Sequence, residues 1–130
     1  DLNGLKYVND TYGHVDGDSF IIGFAEILIA AFGKEKDSFI GRMGGDEFIV
    51  ILKNCEPKKI QGLINNMNGM MHQINKEKST ENKFIFSAAY GVSIRTLEDT
   101  RKLWKVYEEA DARMYECKKY QRDRLGIRVR

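Results

Sequence analysis

The chain has few of the residues that staple, break or anchor a polypeptide. Cysteine occurs twice, as Cys55 and Cys117. The two are far apart, have no metal-ligand spacing and no histidine nearby, which excludes a disulfide scaffold and fits free thiols in a reducing compartment. Proline occurs once, as Pro57, and there are no internal repeats or low-complexity tracts. Long hydrophobic runs are also missing. The longest, Phe20 to Phe32, is interrupted by Glu26 and is too short to span a bilayer. No signal peptide is recognisable, and the chain opens on Asp1 rather than methionine, so we expect a piece of a longer protein. A formal net charge of +2 is too small to argue for nucleic-acid or membrane binding through bulk electrostatics.

What the chain does have is material for one core. Hydrophobic residues make up 42% and charged residues 31% of 130 residues, the balance of a single globular domain over 1–130. The charge is uneven, with Lys118, Lys119, Arg122, Arg124, Arg128 and Arg130 set against Asp123. Such an end is either a solvated helix tail or a grip on phosphate.

Read in order, Asn3-Gly4 is a turn signal and Asn9-Asp10-Thr11 offers N-cap side chains. Tyr12 to Asp18 reads as a polar loop. From Ser19 the pattern is helical, with Phe20, Phe24, Ile27, Leu28 and Ala31 on one stripe and Gly33 as the cap. A charged loop leads to a β-hairpin between Phe39-Ile40 and Phe48 to Leu52, with Gly44-Gly45 at its tip. Pro57 suits the first turn of a helix whose stripe is Ile60, Leu63, Ile64, Met67, Met71 and Ile74. Lys76 to Lys83 reads as a loop, and Phe84 to Ile94 as a strand. A last helix is expected from about Thr100 to Gln121, with Leu103, Val106, Tyr107, Ala110, Met114 and Cys117 on one face. Leu125 to Val129 offers a short final strand. The layout is α+β, helices packed on a mainly antiparallel sheet.

The chemistry concentrates at the hairpin. Asp46 and Glu47 put two carboxylates beside a glycine turn, an arrangement suited to a hard divalent cation and a phosphate-bearing ligand. The competing reading is a plain hairpin with solvated acids at its end. Asp1 supplies a further carboxylate, the backbone at Gly4-Leu5 offers N–H groups, and Lys6, Lys118 and Arg122 offer positive charge for phosphates. On the residues alone Asn9 and Asp10 are better read as helix caps, and Lys118 and Arg122 are readable as a solvated helix end.

Gly44-Gly45-Asp46-Glu47-Phe48 spells the motif of the GGDEF family of diguanylate cyclases. The resemblance extends to Asp1-Leu2-Asn3-Gly4-Leu5-Lys6, to Asn9 through His14 with Gly17-Asp18, to Ala88–Val92, and to Ala110 through Lys118, in order and at family spacing. It implies a nucleotidyl cyclase or polymerase-palm-like fold with a ferredoxin-like core. The family's N-terminal helix and first, interior strand would then lie upstream of Asp1. It further implies condensation of two GTP into cyclic di-GMP with release of two pyrophosphates, across a homodimer. Carried over by position, Asp1, the Leu2 carbonyl, Asp46 and Glu47 would hold Mg²⁺ or Mn²⁺. Asp46 and Glu47 would be the catalytic pair, Glu47 also helping to deprotonate the ribose 3′-hydroxyl. Asn9 and Asp18 would read guanine. Gly4, Leu5, Lys6, Lys118 and Arg122 would hold phosphates, and Gly44 and Gly45 would let the hairpin pass close to the nucleotide. The implied setting is the bacterial cytoplasm, with an upstream sensor domain, possible tethering to a membrane protein through that upstream sequence, and no nucleic-acid or membrane contact by this domain. The alternative is a catalytically inactive GGDEF-like module that binds GTP or a partner and regulates a neighbour.

Two positions depart from the family pattern. The Arg-x-x-Asp of its product-inhibition site is replaced by Glu35-Lys36-Asp37-Ser38, so no inhibitory product site is expected. The Gly-Arg-Asn after the last-helix motif reads Gln121-Arg122-Asp123.

Overall fold

A computed structural model describes residues 1–77 and 84–130. The chain is α+β, with four helices and a two-stranded antiparallel sheet among the described residues. It divides into two compact units, one of Leu2–Ser87 with Arg130, the other of Asp1 with Ala88–Val129.

The larger unit begins with Gly4, whose φ of 89° is left-handed and feeds helix α1 (Leu5–Tyr12). Leu5 and Val8, three residues apart, are the face α1 buries. Gly13, at φ 95°, ends α1 and begins α2 (His14–Phe32) without an intervening loop. The expected loop over Tyr12 to Asp18 is therefore corrected. One glycine makes the whole break, and His14 to Asp18 are already helical. Helix α1 itself was not expected, because Asn9, Asp10 and Thr11 read as caps; all three lie inside it.

Helix α2 buries Phe20, Phe24, Ile27, Leu28, Ala31 and Phe32, the expected stripe, and packs on α1, α3 and β1. Phe20 is almost wholly enclosed and stacks at a tilt on Phe84 and Phe86, at 5.3 and 5.1 Å between ring centres. Burial of a side chain of this size contributes about 1.5–3 kcal/mol. Strands β1 (Phe39–Gly44) and β2 (Glu47–Ile51) form the expected hairpin, with Ile40 opposite Val50 and Arg42 opposite Phe48. The register slips between Arg42 and Gly44, leaving Met43 as the extra residue. Phe48 meets Phe24 edge to face at 5.2 Å, which seats the hairpin on α2. Helix α3 (Pro57–Glu77) starts on its proline and buries Leu63, Ile64, Met67 and Met71. The loop expected over Lys76 to Lys83 is helical at Lys76 and Glu77; residues 78–83 lie outside the described residues.

The expected strand over Phe84 to Ile94 is not formed as a ladder among the described residues. At Phe86 the main chain is met by a side chain instead. Its N–H donates to the Asn75 Oδ1 and its carbonyl accepts from the Asn75 Nδ2, both at 2.8 Å. A side-chain carboxamide on α3 thus satisfies the main chain of Phe86, while the Ser87 carbonyl accepts from the Asn3 N–H at 2.9 Å.

The smaller unit is built on α4 (Leu103–Arg124), which buries Val106 and Met114. Of the other expected face residues, Leu103 and Tyr107 are exposed and Ala110 and Cys117 half-buried. Gly91 lies so close to α4 that a Cβ there would sit 2.1 Å from the Ala110 carbonyl oxygen. Arg101 ties residues 99–101 to the helix, pairing with Asp99 at 2.7 Å and with Glu109, which also holds Arg113 at 2.7 Å. The expected strand at Leu125 to Val129 is absent; the Ile127 N–H instead donates to the Gln121 carbonyl at 3.0 Å. Both cysteines are free thiols. No described helix is long and apolar enough to cross a membrane.

Candidate functional site

The hairpin tip is held at two successive carbonyls. Gly45 turns the chain at φ 48°, and its carbonyl accepts from the Arg42 Nε at 2.9 Å. The Asp46 carbonyl accepts from the Leu2 N–H at 2.8 Å. Two anchored peptide units give Asp46 and Glu47 a fixed backbone from which to project. Their side chains are half-buried and make no hydrogen bond or ion pair with any described residue. Two adjacent uncommitted carboxylates are a hard, all-oxygen donor pair, the chemistry Mg²⁺ or Mn²⁺ prefers. Among the described residues no three His, Cys, Asp or Glu side chains gather closely enough to enclose a metal by themselves.

The glycine-bounded α1 and its junction with α2 carry the second group in the larger unit. Gly4 and Leu5 stand at the N-terminus of α1, where main-chain N–H groups point out of the helix. Lys6, one residue on, is not idle: its ammonium pairs with Asp10 at 2.6 Å along the helix. Asn9 lies on the last turns of α1, half-buried, and its main-chain carbonyl accepts from the Gly13 N–H at 2.9 Å. The Gly13 carbonyl in turn accepts from the Gly17 N–H at 3.0 Å. Asp18 follows Gly17 on α2 and is exposed.

In the smaller unit, Asp1 forms a two-way main-chain pair with Ala89, at 2.9 and 3.0 Å. Its carboxylate, only 4% exposed, pairs with the Lys118 ammonium at 2.9 Å. Arg122, one turn further along α4, bonds the adjacent Asp123 at 2.8 Å. That contact raises the Arg122 pKa and lowers that of Asp123. All three cations expected to face phosphate are therefore ion-paired here. The expected site residues fall in both units: Asp1, Lys118 and Arg122 in the smaller, the others in the larger.

Where an Arg-x-x-Asp would bind product, Glu35 pairs with Lys59 on the first turn of α3 at 2.8 Å, and the contact raises the Lys59 pKa. Arg42, which anchors the tip, was not among the expected site residues. Its three-residue spacing from Gly45 was the available signal.

Comparison with known proteins gives a consistent result. The family model described as "Diguanylate cyclase, GGDEF domain" matches residues 1–124. The chain is 29% identical over 119 residues to the diguanylate cyclase DgcS of Shewanella oneidensis, covering 91% of this chain and 37% of that protein. It is 33% identical over 118 residues to the bifunctional diguanylate cyclase/cyclic di-GMP phosphodiesterase MucR of Pseudomonas aeruginosa, covering 91% of this chain and 16% of that one. An uncharacterized protein of Bacillus subtilis, YtrP, is 29% identical over 127 residues, covering 98% and 20%. The chain thus spans between about a sixth and just over a third of the length of these relatives.

Proposed function

The chain belongs to the GGDEF domain family of diguanylate cyclases, and we propose that it supplies one GTP half-site for synthesis of cyclic di-GMP. One observation carries this reading: the intact Gly44-Gly45-Asp46-Glu47-Phe48 tip, with both carboxylates uncommitted on an anchored turn. Two successive anchored carbonyls at the turn hold the backbone from which both acids project.

In this reading Asp1, the Leu2 carbonyl, Asp46 and Glu47 are the ligands for Mg²⁺ or Mn²⁺. Such an ion, when bound, stabilises charge on the attacking and leaving oxygens of phosphoryl transfer. The chain's own groups bind and orient. Asn9 and Asp18 hold the guanine edge, the Asp18 carboxylate accepting from N1–H and the exocyclic amine. The N–H groups at Gly4 and Leu5, with Lys6, Lys118 and Arg122, hold the phosphates. Lys6–Asp10 and Arg122–Asp123 are solvent-exposed pairs, which cost little to exchange for a polyanion. Glu47 takes up the proton of the ribose 3′-hydroxyl. Gly44 and Gly45 keep side chains out of the nucleotide's way.

One domain holds one GTP, so the reaction needs two copies, each 3′-hydroxyl attacking the α-phosphate on the other. Catalysis is then chiefly positioning and charge stabilisation. The reading carries with it a palm-like domain over 1–130, a regulatory partner domain, and a cytoplasmic setting where GTP is available.

The test is incubation of the protein with GTP and Mg²⁺ and chromatography of the products. Wild type is expected to yield cyclic di-GMP, and Glu47→Gln and Asp46→Asn to lose at least 100-fold in rate (about 2.7 kcal/mol) while still binding GTP. Wild type that binds GTP yet makes no product would favour a regulatory module instead.

A further inference from the structure

We propose that Gly17 is a positioning residue that sets base selectivity by making room for the Asn9 carboxamide. The inference rests on the reading of Asn9 as a guanine contact and adds to it a residue with no ligand contact of its own.

Gly17 stands in the fourth position of α2, followed by fifteen more helical residues. Alanine is preferred over glycine inside a helix on propensity alone, and glycine there also adds unfolded-state entropy. Its backbone is ordinary helix, so no left-handed conformation calls for glycine. Space does. A Cβ built on Gly17 would fall 1.7 Å from the Asn9 Oδ1 and 2.9 Å from its Cγ. Real Cβ atoms do not approach a heavy atom so closely, so the Asn9 side chain occupies the volume that any other residue at position 17 would fill.

The junction explains why the two meet. Gly13 bonds back to the Asn9 carbonyl and accepts from the Gly17 N–H. Asn9 and Gly17 are thus each one main-chain hydrogen bond from the same elbow. Apart from this close packing, the Asn9 side chain makes no hydrogen bond with a described residue. Its carboxamide is held by shape and keeps one acceptor and two donors for a ligand. Gly17 is buried, and the next residue is Asp18, the other proposed base contact. Packing at position 17 therefore fixes where one base-reading group sits and directly precedes the second.

Alanine at 17 has one cheap way to fit. The blocking atom is the far end of a short side chain rather than backbone, so the Asn9 carboxamide rotates away and the helices stay in place. The fold is kept and the base contact is lost.

The experiment measures GTP, ATP and inorganic pyrophosphate binding by calorimetry in the presence of Mg²⁺. The proteins are wild type, Gly17→Ala, Asn9→Ala, the double variant, and Gly62→Ala as a helical glycine with open space around it. Gly17→Ala is expected to lower the GTP-over-ATP preference on the order of tenfold, the worth of one lost hydrogen bond. Pyrophosphate affinity and thermal midpoint should not fall. In the Asn9→Ala background the clash is gone, so Gly17→Ala should change nothing further. Gly62→Ala should match wild type in ligand binding, with a thermal midpoint no lower. A guanine-selective wild type whose Gly17→Ala variant keeps that selectivity overturns this inference alone. So does a Gly17→Ala variant that loses GTP, ATP and pyrophosphate together with stability. A wild type that binds GTP and ATP equally overturns the functional reading, and this inference with it.

Discussion

Asp1 illustrates what a single residue's surroundings add to its identity. As a letter it was one more carboxylate at a family position; in the structure it is almost fully enclosed and neutralised by Lys118 at 2.9 Å. A buried carboxylate stripped of its cation loses more than a hydrogen bond, because the uncompensated charge stays out of water. Lys118→Met is therefore expected to destabilise the protein by about 1–3 kcal/mol and to weaken pyrophosphate binding as well. Urea denaturation alongside calorimetry checks both; unchanged stability would mean that Lys118 serves only as a phosphate ligand. Residue identities of this kind were legible in the sequence, since Asp46, Glu47, Asn9 and Asp18 are named by their motifs. Their partners were not. Nothing in the string pairs Lys118 with a residue 117 positions away, or shows that Arg42 would reach the Gly45 carbonyl rather than solvent.

At the scale of elements, periodicity found the long helices and missed what short-range chemistry decides. The stripes Phe20 to Ala31 and Leu63 to Met71 are core because apolar residues at helical spacing have few other uses. The junction at Gly13 was illegible, since two glycines among polar residues look like a loop unless one of them is known to answer a packing need. Alternating Phe84, Phe86 and Ala88 has strand character, yet a ladder also needs a continuous neighbour, and here Asn75 meets Phe86, Asn3 meets Ser87 and Asp1 meets Ala89. Helix α4 shows how a loop is fastened without a core. Asp99 and Glu109 both face Arg101, which lowers the pKa of each carboxyl, while Arg113 adds to the effect on Glu109 and Arg95 to that on Asp99. A carboxylate whose folded pKa lies below its ordinary value adds stability that is fully present above that value and is lost as pH falls through the folded one. The ordinary values are 3.8 for Asp99 and 4.5 for Glu109. The contribution should hold down to about pH 4.5 and fade below it. The drop in thermal midpoint between pH 6 and pH 3 is expected to be smaller in Arg101→Met than in wild type, because the variant has already lost these pairs. An equal drop in both would show that the cluster does not contribute to stability.

For the whole molecule, the proposed two-copy reaction raises the question of how output would be limited. A reaction of that kind would be throttled by product bound at an inhibitory site. The family pattern provides an Arg-x-x-Asp for that purpose, and this chain replaces it with Glu35 and Ser38. The change goes beyond a missing ligand. Glu35 pairs with Lys59 at 2.8 Å, so that cation is already engaged, and a carboxylate stands where the family pattern has a guanidinium. Breaking the pair to free Lys59 would leave Glu35, the less exposed partner at 22%, to repel the same phosphates. Cyclic di-GMP is therefore expected to bind this surface no more tightly than micromolar, and synthesis should continue as product accumulates. Calorimetry with the active site occluded by a non-hydrolysable GTP analogue measures it directly. Submicromolar product binding that survives both Glu35→Ala and Ser38→Ala would overturn the expectation and place feedback elsewhere in the molecule. A gain of product affinity in Glu35→Arg with Ser38→Asp, where the two family residues are restored, would show that charge at these positions is what sets it.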